Sequence, residues 1–233
     1  SILESEKIKY THSGVLSSSI AIDKEISKKI FVKNNILTPK YIKFKFNKII
    51  KKTELIKKIK SKLGFPVVIK PFNEGSSVEV YICGKKDFFK KLKRLLPYKE
   101  VMIEKYIPGR EIQVAIMGKR KLGAIELVPK RKFYDYQAKY NAKSKTKHII
   151  PVKINNKKLK EVLNIASKAH KIIGCKGVTR SDFKFYKDKF YLLEINTQPG
   201  MTSLSLVPEI ARYKNISFLN LIDWIIKDAS IHR

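Results

Sequence analysis

The sequence predicts an α+β protein built in two lobes. Segments with apolar residues at helical spacing are interleaved with short β-branched runs, and Gly, Pro and Asp-containing turns separate them. The chain has no internal repeat and no low-complexity linker. No continuous apolar run approaches the ~18–20 residues that a membrane-spanning helix needs. The 233 residues fit one or two domains, and a hydrophobic content of 43% is enough for a substantial core.

Residues 20–32 are expected to form one helix, after which Leu37-Thr38-Pro39 breaks the pattern before a short strand at 41–44. Residues 53–63 form a Lys-rich helix closed by Gly64, a residue on which helices often end. Phe65-Pro66-Val67-Val68-Ile69-Lys70 reads as a buried strand, and a polar turn over residues 73–77 leads to a second strand at 78–82. A helix at 86–96 and strands at 101–104, 111–117 and 122–128 follow. Residues 129–150 show no clear period, and unstructured stretches of that length are usually functional when ordered. A long amphipathic helix spans 156–173. Strands at 179–186 and 189–196 are joined by a Lys187-Asp188 turn, and a loop at Pro199-Gly200 precedes helices at 206–213 and 218–229.

The charge balance of 51 Lys and Arg against 20 Asp and Glu, net +31, would ordinarily point to an anionic partner. Here the basic residues are mostly lysines scattered through every segment, with no stripe or aromatic platform to concentrate them. Compositional drift accounts for that pattern, so neither nucleic acid nor membrane is expected as a partner. Cys83 and Cys175 lie far apart and read as two reduced thiols of a cytoplasmic protein. The first residues lack the basic-then-apolar pattern of a secretory signal. His12, His148, His170 and His232 share no spacing that makes a metal site, and are read as surface or capping residues.

The most specific chemistry lies in Val178-Thr179-Arg180-Ser181-Asp182-Phe183 and Tyr191-Leu192-Leu193-Glu194-Ile195-Asn196. Residues two apart on a strand share a face, so Glu194 and Asn196 project together, as do Arg180 and Asp182. On paired strands Asp182, Glu194 and Asn196 would give hard oxygen ligands suited to Mg²⁺. Arg180 could then neutralise charge growing on a reacting oxygen. A solvated hairpin with incidental charges remains the plainer reading of those residues alone.

Beyond that pair, Glu194-Ile195-Asn196-Thr197-Gln198-Pro199-Gly200-Met201-Thr202, followed by Ser205-Leu206-Val207-Pro208, closely resembles the carboxy-terminal signature of D-alanine–D-alanine ligases. These are ATP-grasp enzymes, in which two α/β lobes hold the nucleotide between their sheets. Lys70-Pro71-Phe72-Asn73-Glu74-Gly75-Ser76-Ser77-Val78 resembles the mobile phosphate-covering loop of that fold. A small polar turn can present N–H groups and hydroxyls to phosphate, although a lone lysine in so basic a chain is more often solvent-facing. The resemblance implies that Lys24 and Lys70 hold the nucleotide phosphates. It also places Glu104, Lys105 and Ile107 near adenine and Glu111 near the ribose. Phe133-Tyr134-Asp135-Tyr136-Gln137-Ala138-Lys139-Tyr140 resembles the loop that closes over the site, with Lys139 on the γ-phosphate and Tyr140 hydrogen-bonded to Ser76. One departure stands out, in that the family usually has Gly where this chain has Glu79.

The resemblance runs from about residue 10 to residue 233. It implies ATP-dependent joining of two D-alanines for peptidoglycan precursor synthesis, through an acyl phosphate, with Mg²⁺ or Mn²⁺, two ions in all. Asp182, Glu194 and Asn196 would bind metal, Arg180 and the Gly200 N–H would stabilise the oxyanion, and Ser205 would receive the second substrate's carboxylate. A homodimer is the assembly implied. Residues 1–15 read as the junction to an absent amino-terminal domain, 16–104 as a central lobe and 105–233 as a catalytic lobe. Another carboxylate–amine ligase of the same fold and an inactive basic homologue are the alternatives.

Overall fold

A computed structural model describes residues 1–47, 51–75, 78–128, 146–202 and 205–233. These residues form two compact units. One comprises Ser1–Leu37, Gly109–Val128 and Lys147–Arg233, and the other comprises Thr38–Pro108 with Thr146. The elements are α1 Ile2–Ser5, α2 Val15–Ile22, α3 Lys24–Lys33, β1 Tyr41–Lys45, α4 Lys52–Lys62, β2 Val67–Pro71, β3 Tyr81–Cys83 and α5 Phe88–Arg94. They continue with β4 Glu100–Lys105, β5 Arg110–Met117, β6 Arg120–Val128, β7 Lys147–Ile149 and α6 Asn156–Ile173. The chain ends with β8 Val178–Tyr186, β9 Lys189–Asn196, α7 Leu206–Tyr213 and α8 Phe218–Lys227.

The larger unit is built on an antiparallel sheet ordered β7-β6-β5-β8-β9. Ile112, Val114 and Ile116 alternate along β5 and enter one core with Phe183, Phe190, Leu192 and Ile195. Against that face lies α6, whose buried Val162, Ala166, Ala169 and Ile173 recur at three- and four-residue intervals, the stripe of an amphipathic helix. Burial of each large aliphatic chain there contributes about 1.5–3 kcal/mol. Local chemistry sets the ends of α6. The Asn155 side chain accepts from the Lys158 N–H, and Gly174 closes the helix at φ +78.

The expected helix over 20–32 is two helices. The Asp23 side chain accepts from the Glu25 and Ile26 N–H groups, so it caps a new helix instead of continuing the old one. Ala21, Phe31 and Ile36 join the core of the five-stranded sheet, and the Leu192 N–H donates to the Leu37 carbonyl at 2.8 Å. Residues 16–37 thus group with β5, β8 and β9, where the sequence reading joined them to the segment ending at 104. A second shift concerns β7, a strand paired with β6 inside the stretch expected to have no period. His170 also differs from expectation. It is 7% exposed, Nδ1 lies 2.8 Å from Thr179 Oγ1, and burial holds its pKa down at about 4.

The smaller unit carries an antiparallel sheet ordered β1-β4-β2-β3. One face, with Ile42, Val67, Ile69, Val101 and Ile103, packs with Leu55, Ile59, Phe88 and Leu92 of α4 and α5. Alternation sends Lys43, Lys70, Met102 and Glu104 to the opposite face. Both cysteines are buried free thiols, with burial pushing Cys83 up to about 12 and Cys175 up to about 11. No helix among the described residues is long and apolar enough to cross a membrane.

Candidate active site

The face of the five-stranded sheet opposite α6 gathers the polar residues of β5, β8 and β9. Asp182 is in register with Glu194, and Arg180 with Asn196, so the four residues form a compact block on adjacent strands. The register shifts immediately after, between Asp182 and Phe183, where one strand carries an extra residue. This irregularity lets Phe190 and Leu192 enter the core together with Ile195, while Glu194 and Asn196 face the other way.

Charge is compensated within the block. Arg180 Nε donates to Asp182 Oδ1 at 2.8 Å and Arg180 Nη2 to Oδ2 at 3.1 Å. Asp182 is 5% exposed, and a buried carboxylate requires such a partner. Lys24, at the start of α3, places Nζ 3.8 Å from Glu194 Oε2. Two carboxylates and one amide oxygen are a donor set for a hard divalent ion, and the cations now beside the carboxylates show that the cluster calls for positive charge. Among the described residues no group of three or more His, Cys, Asp or Glu forms a metal cluster, so Asn196 is needed to complete the set.

Next along the same face, Glu111 of β5 pairs in register with Lys184 of β8, whose Nζ donates to Glu111 Oε2 at 2.9 Å. Lys184 and the neighbouring Gln113 were not singled out from sequence. The available signal was spacing: 184 lies two residues beyond Asp182, and 113 two beyond Glu111.

The loop after β9 is drawn together by Ser205. The Thr202 N–H donates to Ser205 Oγ at 2.9 Å, and Thr202 Oγ1 lies 3.0 Å from the same oxygen. A Cβ at Gly200 would stand 2.8 Å from Ser205 Oγ, so a larger residue there would require the Ser205 hydroxyl to turn away. Ser205 is the residue preceding α7, but its hydroxyl turns back to the loop instead of capping the helix.

On the smaller unit, Lys70 and Glu104 meet directly, with Nζ 2.8 Å from Oε2 and side chains 9% and 4% exposed. Lys105 ends β4 exposed, and its N–H already donates to the Lys40 carbonyl at 2.8 Å, so that group is not available to read an adenine edge. Ile107 is buried. Glu79 adopts φ +53, the left-handed backbone that favours glycine, and its carboxylate accepts from the Tyr81 hydroxyl at 2.5 Å. That bond holds the Tyr81 pKa above its usual value and keeps the carboxylate occupied. Ser76, Lys139 and Tyr140 lie outside the described residues.

Known proteins resemble this chain in sequence and in fold. Residues 30–227 match the family model described as D-ala D-ala ligase C-terminus. A D-alanine–D-alanine ligase of Pelagibacter ubique is 68% identical over 232 residues, covering 100% of this chain and 76% of that protein. The crystal structure of a D-alanine–D-alanine ligase from Bacillus anthracis superposes with a TM-score of 0.84 at 35% identity, over 97% of this chain and 73% of that one. The same enzyme complexed with ATP matches with a TM-score of 0.81 at 34% identity, over 97% and 72%.

Proposed function

The chain belongs to the D-alanine–D-alanine ligase family, with the ATP-grasp fold, and on that premise we propose that it joins two D-alanines at the expense of ATP. The observation that carries the proposal is the block Arg180, Asp182, Glu194 and Asn196 on one sheet face, followed by the loop that Ser205 ties at Gly200.

The reaction brings two anions together, the carboxylate of the first D-alanine and the γ-phosphate of ATP. Attack gives an acyl phosphate, and the amine of the second D-alanine then displaces phosphate from its carbonyl. Catalysis consists of neutralising charge and holding the reactants in line. A divalent ion would supply much of that neutralisation, and Asp182, Glu194 and Asn196 are the residues that would hold it. Mg²⁺ or Mn²⁺, two ions in all, suits these oxygen donors. Lys24, Lys70 and Lys139 add positive charge toward the phosphates, while Glu104, Ile107 and Lys105, the last without its backbone N–H, take the adenine and Glu111 the ribose. Arg180, fixed by its two bonds to Asp182, and the N–H of Gly200 face the oxyanion of the tetrahedral intermediate. Ser205 receives the second substrate's carboxylate, and Tyr140 with Ser76 closes the site. ATP and the peptidoglycan precursor pathway place the work in the cytoplasm.

The test is ADP release from Mg-ATP by this chain with D-alanine, with L-alanine, or with neither. Release that requires the D-isomer is the expected result. Equal release in all three conditions, or none, would defeat the assignment as an active ligase of D-alanine.

A further inference from the structure

Gln113 is the least accountable polar residue on the catalytic face. It sits on β5, two residues from Glu111 and in register with Asp182 of β8, and it is fully buried at 0% exposure. Its Nε2 makes a long contact of 3.5 Å with Glu111 Oε1, while its Oε1 has no partner among the described residues. The orientation of the amide follows from chemistry, since an ionised carboxylate only accepts. Turning the amide over would set two acceptors against each other. The unmatched atom is therefore an oxygen that wants a donor, and a buried carbonyl left so costs free energy that a ligand can restore.

ATP offers few donors. Its phosphates present acceptors, so only the adenine amino group and the 2′ and 3′ hydroxyls can donate. Glu111, the neighbour that Gln113 touches, is the residue assigned to the ribose. We propose that Gln113 Oε1 accepts a hydrogen bond from a ribose hydroxyl, making Glu111 and Gln113 a pair that reads the sugar. Gln113 thereby sets a preference for the nucleotide that carries that hydroxyl over the analogue that lacks it. The inference rests on the nucleotide assignment made above. Lys184 supports it by anchoring the other oxygen of Glu111, which leaves Gln113 Nε2 facing Glu111 Oε1.

The experiment measures binding of ATP, 2′-deoxy-ATP and 3′-deoxy-ATP by calorimetry, with excess Mg²⁺ and no D-alanine, to this chain and to Gln113→Met. The unaltered protein is expected to bind at least one deoxy analogue about 2- to 10-fold more weakly than ATP, the range of one neutral hydrogen bond. In Gln113→Met the penalty for that analogue falls to about one, while the penalty for the other analogue persists. Thermal unfolding without nucleotide is expected at an equal or higher temperature, because Met fills the space without the unmatched oxygen. Gln113→Leu provides the same comparison should the Met variant fold poorly. Survival of every penalty in both variants, or the absence of any penalty from the unaltered protein, overturns the proposal. An equal loss for all three nucleotides overturns it as well, because it would mean that Gln113 acts on the metal or the fold and not on the sugar. If the unaltered chain binds no ATP at all, the nucleotide assignment falls with it, whereas ATP binding with unchanged ratios sinks the Gln113 inference alone.

Discussion

The two sheets solve the same electrostatic problem in different ways. The five-stranded sheet spreads its charge over three neighbouring pairs, Asp182 with Arg180, Glu194 with Lys24, and Glu111 with Lys184, in which Asp182 and Lys24 are as buried as Lys70 while Glu194 keeps 28% of its side chain exposed. The four-stranded sheet holds one pair, Lys70 and Glu104, nearly closed off from solvent, apart from the more exposed Lys43 and Lys45 beside Glu100. A distributed network can lose one member and still have other charges of the same face beside the gap. A closed pair cannot, since removing one partner strands the other in low dielectric. The first arrangement suits a site whose charges must exchange partners during a reaction. The second makes Lys70, the lysine proposed to face the nucleotide, part of the fold's stability as well.

Substituting Asp182→Asn should have the largest effect, with a loss of at least ~100-fold in kcat, because it removes a charged ligand from the reacting centre. Some stability should be lost as well, because the largely buried Arg180 then faces a neutral amide, but the protein should stay folded. Steady-state ADP release and a thermal melt on the same preparation check both halves. A collapse of the fold would mean that the block is structural and would erase the contrast between the sheets.

In the closed pair, Lys70→Met should destabilise the protein by about 3–5 kcal/mol in urea titration. The double variant Lys70→Met/Glu104→Gln should recover a good part of that loss, because neither residue then carries a buried charge. Additive losses would show that Lys70 and Glu104 act independently and that the pairing carries no special weight.

His170 tests the face of the larger unit opposite its catalytic block. Burial lowers its pKa from 6.5 to about 4, so the fold resists the proton that the unfolded chain accepts. Stability should therefore be flat above pH 6.5, fall as pH drops from 6.5 to about 4, and level off below that. The full loss is about 3 kcal/mol, and His170→Asn should remove this part of the slope. An unchanged slope in the variant would assign acid sensitivity to the carboxylates of the catalytic face.

The smallest effect is expected at Glu79→Gly. The left-handed backbone is relieved at the cost of glycine's greater freedom when unfolded, leaving a change of about 1 kcal/mol or less. The Tyr81 hydroxyl should then titrate closer to its ordinary range, which ultraviolet titration can follow. A Tyr81 titration that does not move would show that burial, not Glu79, sets it.

The sequence alone determined what depends on neighbours along the chain. Spacing of two put Arg180 with Asp182 and Glu194 with Asn196 on common faces, Gly64 marked the end of α4, and the stripe of Val162, Ala166, Ala169 and Ile173 announced α6. Helical period, strand alternation and turn chemistry are local, so they can be read from a line of residues. The tertiary structure decided the rest. The break at Asp23 could be read only once the cap was seen, and the membership of residues 15–37 in the larger unit depends on Phe31 and Ile36 finding a core formed by strands far along the chain. Strand register aligned Asp182 with Glu194 and Glu111 with Lys184, and the irregularity after Asp182 sent Leu192 inward. Register and partner choice are settled by which distant surfaces exclude water together, and a period of two cannot say which strand will lie alongside.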